Sequence, residues 1–484
     1  MANASDLAIL AGVSGLTADS RAVQPGHLFA ALRGEKADGR AFIPQALDAG
    51  AAAILTDSLP DGPDGIAGDL AGRARLVVDP NPRRRLAEMA AAFYGRQPDW
   101  IALVTGTNGK TSTVEFARQI WQATGHAAAS IGTLGVALPG GREGGSLTTP
   151  DPVSLARLLA QLAAGGIEHV ATEASSHGLE QERLSGVAAR IGAFTSFSRD
   201  HLDYHKTERA YLKAKLRLFR ERLPEGGAAV ICADGSFAAE AGRIARNRRL
   251  DLWTYGRKGE RIRLRERKDT PEGQRLTLTL EGEAFDVLLP LAGDFQAANA
   301  LAALGIALAS GIGRADAVTA LAGLETVPGR LQLAGHHGSG AAVFVDYAHT
   351  PGALESALQA LRGRTAGRLL VVFGAGGDRD AGKRPEMGRV AAKQADLAVV
   401  TDDNPRSEDP AAIRATVRQG CPDAVEIGAR GEAIAWAIGH LQAGDTLLIA
   451  GKGHEQGQTV GDTVHPFDDL AEARKALGLA EAAS

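Results

Sequence analysis

Gly106-Thr107-Asn108-Gly109-Lys110-Thr111 joins the apolar run Ile101 to Thr105 to a stretch in which Val114, Phe116, Ala117, Ile120 and Trp121 recur at helical spacing until Gly125. A tight glycine loop between a buried strand and a helix gathers backbone N–H groups and the positive end of the helix dipole at one spot, which suits a polyphosphate. Lys110 would add a point charge for the β- and γ-phosphates, and Thr111 a hydroxyl for Mg²⁺. Val104 stands where the strict phosphate-loop pattern has glycine, so the loop is a shortened variant. An ordinary turn rich in small residues is the bland alternative.

The elements that must position this loop read as alternating strands and helices, the pattern of an α/β fold with largely parallel sheets. Strand His169 to Thr172 runs into Glu173-Ala174-Ser175-Ser176-His177-Gly178, and strand Ile191 to Phe197 into Ser198 to His205. Ligands of open α/β sheets collect beyond the carboxyl ends of strands, so both polar clusters should face the same crevice as the phosphate loop. A helix from Glu208 to about Arg222 follows with Lys213 and Lys215, which read by themselves as solvated helix charges. Arg257 to Lys268 alternates in charge and reads as a solvated strand edge, and Asp294 to Ser310 as an Ala/Leu helix facing the core.

Before the loop, the chain reads as a small α/β unit: strands Leu28 to Leu32, Ala53 to Leu55 and Leu76 to Val78, helices Ala41 to Ala49 and Pro82 to Gly95, and an exposed Pro-, Gly- and Asp-rich loop from Leu59 to Gly72. After Pro328-Gly329-Arg330 it is again doubly wound. Strands near 343–345, 369–373, 397–401 and 447–450 meet Asp346 to Pro351, Gly374 to Asp380, Asp402 to Arg406 and Gly451 to Glu455. The Gly-rich turn after Phe373 lacks dinucleotide spacing. Together these loops offer guanidinium and carboxylate groups at one sheet edge, a set able to hold a zwitterion. In isolation, Asp403-Asn404-Pro405-Arg406 would read as a turn with an exposed arginine.

Three domains are expected from 484 residues at roughly 150 per domain: 1–98, 99–328 and 329–484. A net charge of −4 with 23% charged residues gives no footprint for nucleic acid or an anionic membrane. Cys232 and Cys421 lie far apart without metal-ligand spacing and read as buried small residues of a reducing compartment. No run approaches the ~20 apolar residues that span a bilayer, and a cytoplasmic monomer is expected.

The motifs at 106–111, 173–178, 200–205, Asn299, 346–351 and 451–455 together resemble the Mur ligases of peptidoglycan synthesis. Asp19-Ser20-Arg21 to Phe29, Thr148-Thr149-Pro150-Asp151 and Asp403 to Arg406 resemble the diaminopimelate-adding branch of that family. The resemblance implies a small α/β N-terminal domain for the uridine end, a central P-loop-type parallel-sheet ATPase domain and a C-terminal Rossmann-like domain for the amino acid. It also implies ATP-dependent joining of meso-diaminopimelate to UDP-N-acetylmuramoyl-L-alanyl-D-glutamate through an acyl phosphate, with ADP and phosphate released.

By the same resemblance, Gly106, Thr107, Asn108, Gly109, Lys110, Thr111, Asn299, Arg330, Asp346 and His349 bound ATP. Ser20, Arg21, Thr148, Thr149, Ser175, Gln181 and Arg183 bound the UDP-muramoyl dipeptide. Arg379, Asp403, Asn404, Pro405, Arg406, Gly451 and Glu455 bound diaminopimelate. Thr111 and Glu173 would hold one Mg²⁺, and His201 and Lys215, the latter as a carbamate (N6-carboxylysine), would help hold a second. Lys110, Glu173, His201 and Lys215 are then the catalytic set. Taken alone, His349 and His205 could be packing histidines, and Gln181 and Arg183 surface residues. A folylpolyglutamate synthetase, a lysine-adding homologue or a non-catalytic nucleotide-regulated module are the competing readings.

Overall fold

The computed structural model describes residues 4–34, 37–59, 72–144, 148–270 and 272–479. Most of the Leu59–Gly72 loop and part of the polar turn at 34–39 lie outside the described residues. Three separate sheets of four, eleven and six strands follow one another along the chain, with a short hairpin of two strands near the end.

The first sheet is parallel, with strands Gly15–Thr17, His27–Ala30, Ala53–Thr56 and Arg75–Val78 in spatial order. Helix Pro82–Tyr94 seals it by burying Leu86, Met89 and Ala90, starts under the side-chain cap of Asn81, and stops at Gly95 with φ 83°. Gly15–Thr17 adds a fourth strand to the three expected from the sequence.

In the large sheet, six parallel strands run in the order Asp251–Gly256, Ala228–Cys232, Ile191–Phe194, Trp100–Thr105, His169–Glu173 and Ala128–Gly132. The inner strands, from Ala228–Cys232 to Ala128–Gly132, are buried on both faces, as a parallel sheet covered by helices requires. Helix Asp294–Ala309 packs against helix Lys110–Ala123 and is buried along nearly its whole length, as a helix apolar all round requires. Strand Ile262–Thr270 pairs with Gly273–Leu280 along its length but with Tyr255–Gly256 only at Ile262 and Arg263, so its charged part is an exposed edge on that side. Arg265, Glu266, Lys268 and Asp269 face solvent there, and Arg267 pairs with Asp269 at 2.7 Å.

The third sheet orders its strands Gln332–His336, Ala342–Asp346, Thr446–Ala450, Leu369–Phe373, Leu397–Val400 and Val425–Glu426, the first antiparallel and the rest parallel. The hairpin Gly457–Val460 with Thr463–Pro466 stands beyond it. Arg199 of the central segment meets Asp380 at 3.1 Å and Glu386 at 3.6 Å, which ties the last two sheets together.

Candidate active site

Sheet register brings the phosphate loop and the two polar clusters together. Thr105 is the cross-strand partner of Phe194, and Val104 of Glu173, so three strand ends emerge side by side. The loop between Thr105 and Lys110 is then fixed from the Ile191–Phe194 side: Thr107 N donates to Ser196 O at 2.8 Å, and Thr195 Oγ1 donates to Asn108 O at 2.6 Å. Gly109, with φ 87°, begins the helix, and a Cβ there would lie 2.3 Å from Asn299 Oδ1, so only glycine lets Asn299 approach. Thr195 and Ser196 carry no motif, and sequence reasoning passed over them.

Lys110 Nζ donates to Gly106 O and Thr107 O at 3.0 and 2.9 Å, and burial lowers its pKa, with the Glu173 and Asp200 carboxylates opposing. Thr111 Oγ1 donates to Glu173 Oε1 at 2.9 Å, and the Thr133 N–H also donates to that oxygen, at 2.8 Å. Glu173 Oε2 is buried and has no hydrogen-bond partner among the described residues. An orphaned carboxylate oxygen beside a threonine hydroxyl is a set of hard oxygen donors that fits Mg²⁺.

Lys215 is not a solvated helix charge. Its neighbour Lys213 is exposed, but Lys215 is 1% exposed, donates to Gly106 O at 2.7 Å and lies 4.3 Å over the Tyr211 ring. Burial holds its pKa well below the ordinary lysine value, and the nearby Lys110 adds to the effect. His201 flanks the same ring at 5.9 Å, and the His177 ring lies 5.1 Å from that of His201. His205 is fully packed, with Nδ1 3.1 Å from Glu180, which fits a packing residue.

From Glu173 a polar network leads outward. Thr149 Oγ1 donates to Glu173 O at 2.8 Å and lies 3.1 Å from Ser175 Oγ, Arg183 donates to Thr149 O at 2.8 Å, and Thr148 meets Thr133 at 3.1 Å. Arg183 also grips Gln181 Oε1 at 2.7 Å. Gln181 and Arg183 line a cleft of about 780 Å³ between the first two sheets, whose walls also carry Gln24, His27, Arg83 and Arg157. Ser20 and Arg21 are not on its walls: Asp19 and Ala22 are, while the exposed Arg21 is folded onto Asp19 at 2.7 Å. Local pairing across two residues competes with a reach into the cleft.

The third sheet contributes a second set of strand ends, with Asp346 opposite Ala450 and Phe373 opposite Val400. Arg330 crosses to the phosphate loop, where it donates to Thr111 Oγ1 at 3.0 Å, and stacks 4.5 Å over the Tyr347 ring. Tyr347 OH lies 3.4 Å from Glu455 Oε1, and Asn404 donates to Glu455 Oε2 at 2.9 Å. Asp346 accepts from Leu331 N at 2.7 Å, and burial raises it to about 6. His349 bonds Tyr347 O at 2.9 Å, and burial lowers it to about 4.

The glycine-rich turn after Phe373 is explained by close approach rather than by a dinucleotide. A Cβ on Gly377 would lie 1.9 Å from Pro405 O, and one on Gly374 2.3 Å from Thr401 O. Arg406, with φ 54°, donates to Gly377 O at 2.7 Å and has no ion-pair partner among the described residues. Arg379 is exposed nearby on the same turn, and Asp403 lies under Gly451, where a Cβ would come within 2.5 Å of its Oδ2. The loops therefore bring two guanidiniums, Arg379 and Arg406, and two carboxylates, Asp403 and Glu455, within electrostatic reach of one another at one recess between the strand ends.

Residues 12–94 match the Mur ligase family catalytic domain, 104–307 the Mur ligase middle domain, and 329–453 the Mur ligase glutamate ligase domain. The chain is 51% identical over 466 residues to the UDP-N-acetylmuramoyl-L-alanyl-D-glutamate--2,6-diaminopimelate ligase of Rhizobium meliloti (strain 1021), covering 96% of this chain and 94% of that protein. It is 52% identical over 465 residues to the protein of the same name from Brucella melitensis, with the same coverage. A solved structure titled as that ligase superposes with TM-score 0.68 at 34% identity over 96% of this chain and 95% of the other. With every segment matched in order and relatives half identical over nearly their whole length, the chain belongs to the Mur ligase family.

Proposed function

We propose that the chain joins meso-diaminopimelate to UDP-N-acetylmuramoyl-L-alanyl-D-glutamate with consumption of ATP. The observation that carries this reading is the unbroken line of contacts Thr111–Arg330–Tyr347–Glu455–Asn404, which links a phosphate loop to a recess for a zwitterion. The names of the half-identical relatives point to the same two substrates.

In this reading the D-glutamyl carboxylate attacks the γ-phosphorus, ADP leaves, and the amine of diaminopimelate then displaces phosphate from the acyl phosphate. The loop N–H groups and Lys110 neutralise and orient the triphosphate, since phosphoryl transfer depends on positioning and charge. Thr111 and Glu173 would hold Mg²⁺, which when bound supplies charge neutralisation at the phosphate oxygens. As an ammonium, Lys215 donates to Gly106 O and has no lone pair to offer a cation. Its burial favours the uncharged amine, which can add to carbon dioxide with loss of a proton, and the resulting carbamate would be an anion near His201.

The 780 Å³ cleft takes the nucleotide-sugar end, with 1–98 and 99–328 as its two sides. Arg406 and Arg379 take the carboxylates of diaminopimelate, and Asp403 and Glu455 the ammonium group that does not react, which leaves the other amine free to attack. Lysine lacks the second carboxylate and would leave a half-buried guanidinium unpaired, which costs about 1.5–3 kcal/mol.

Phosphate release is measured with ATP, Mg²⁺ and the UDP-muramoyl dipeptide, adding diaminopimelate or lysine. Release that depends on all components and prefers diaminopimelate is expected. Release indifferent to the dipeptide, or preferring lysine, overturns the reading.

A further inference from the structure

We infer that Lys452 is a positioning residue of the amino-acid recess: together with the hairpin Gly457–Pro466 it fixes which way the Asn404 side-chain amide faces, and so presents Asn404 to Glu455. The inference rests on the recess being the diaminopimelate site. Lys452 is 0% exposed, and its Nζ donates to Asn404 Oδ1 at 2.9 Å and to Gly457 O at 2.7 Å. The Thr459 N–H donates to the same Oδ1 at 2.9 Å.

An ammonium and a peptide N–H can only donate, so both demand an oxygen at that position. A flipped amide would set its NH₂ against two donors, one of them charged. The orientation of Asn404 is therefore dictated by chemistry, and its Nδ2 is left to donate to Glu455 Oε2 at 2.9 Å.

The hairpin reaches the rest of the loop as well. Gln458 Nε2 donates to Asp403 O at 2.7 Å, Arg406 N to Thr459 O at 3.1 Å, and Gly461 N to Arg406 O at 2.8 Å. Residues 403, 404 and 406 are thus held by a two-stranded ribbon that is itself pinned at Gly457 by the Lys452 ammonium. Burying a lysine charge is costly. Its nearest carboxylate oxygen, Glu455 Oε2, is 3.7 Å away, so the hydrogen bonds to Asn404 and Gly457 are what the cation is spent on. An apolar residue of the same length would fill the space without selecting the amide orientation.

The test is steady-state kinetics of Lys452→Met with each substrate varied in turn. KM for diaminopimelate should rise about tenfold or more, the loss expected for a buried charged hydrogen bond, with KM for ATP and for the UDP-muramoyl dipeptide within about twofold of wild type. Thr459→Pro, on the half-exposed ribbon, removes the second donor without touching the buried charge and should raise the same KM by a smaller factor. An equal loss in all three KM values, or none, in a folded Lys452→Met protein overturns the proposal. If that protein does not fold, Thr459→Pro decides on the same criterion. Wild-type protein that does not use diaminopimelate at all overturns the function instead, and the two failures are thereby distinct.

Discussion

The guanidinium of Arg330 donates to the Thr111 hydroxyl across 3.0 Å while its face covers the Tyr347 ring at 4.5 Å. One side chain thus bridges the phosphate loop of the central sheet and the recess of the third. Gly329 makes the crossing possible: at φ 65°, a Cβ there would lie 2.4 Å from His454 N, so the strand after it can press against the Gly451–Glu455 loop.

Arg330→Ala should therefore weaken the use of ATP and its coupling to the amine together. Removing a charged hydrogen bond of this kind costs about 1.5–3 kcal/mol, or roughly ten- to a hundredfold in kcat/KM for ATP. Measured kcat/KM values within twofold of wild type would remove Arg330 from the site.

How much of this was legible beforehand follows the range of the interactions. The strand, glycine loop and helix around Lys110 are specified by adjacent residues, so their pattern is visible in the chain. Lys215 is different. Its helix is polar in composition, and what buries its ammonium is the Tyr211 ring and a loop carbonyl 109 residues earlier, which no local pattern encodes. Gly451 and Glu455 stood out in the sequence, but Lys452 between them did not, although a lysine flanked by glycines directly after an apolar strand was the available signal. The resemblance alone assigns Ser20, Arg21, Gln181 and Arg183 to the nucleotide-sugar; Gln181 and Arg183 line the cleft, and Gln24, His27, Arg83 and Arg157, which no motif marked, join them from separate elements.

Lys215→Ala should lower turnover about a hundredfold or more, the scale seen when a preorganised charge is removed from a reacting centre. Partial recovery in a short carboxylic acid is expected, since the free acid can occupy the emptied space as an anion. Isotopically labelled bicarbonate should give a carbamate signal in wild type that the variant lacks. Full activity of the plain variant, or a wild-type spectrum without that signal, removes the carbamate.

Arg406→Ala should damage the use of diaminopimelate far more than the binding of ATP. Its guanidinium is half-buried, with no ion-pair partner among the described residues, so it is available to a carboxylate from outside. Its loss should raise KM for diaminopimelate roughly ten- to a hundredfold and narrow the preference over lysine, read in the phosphate-release assay. An equal loss for ATP and diaminopimelate contradicts the assignment.

The lower end of the central sheet sets a pH limit on stability. His169 is 4% exposed, packs against the rings of Trp121 at 5.1 Å and His126 at 4.7 Å, and its Nδ1 has no hydrogen-bond partner among the described residues. Burial, reinforced by His126, lowers its pKa from 6.5 to about 4. The unfolded chain therefore takes up this proton before the folded chain does, and protonation favours unfolding as pH falls from about 6.5 towards 4. The stability is fully present above that window and lost through it. His169→Phe keeps an aromatic ring in the packing and removes the proton, so its melting temperature should decline less than that of wild type between neutral pH and about pH 5. Parallel profiles for the two proteins would show that the acid sensitivity arises elsewhere, with the half-buried His349 as the next residue to replace.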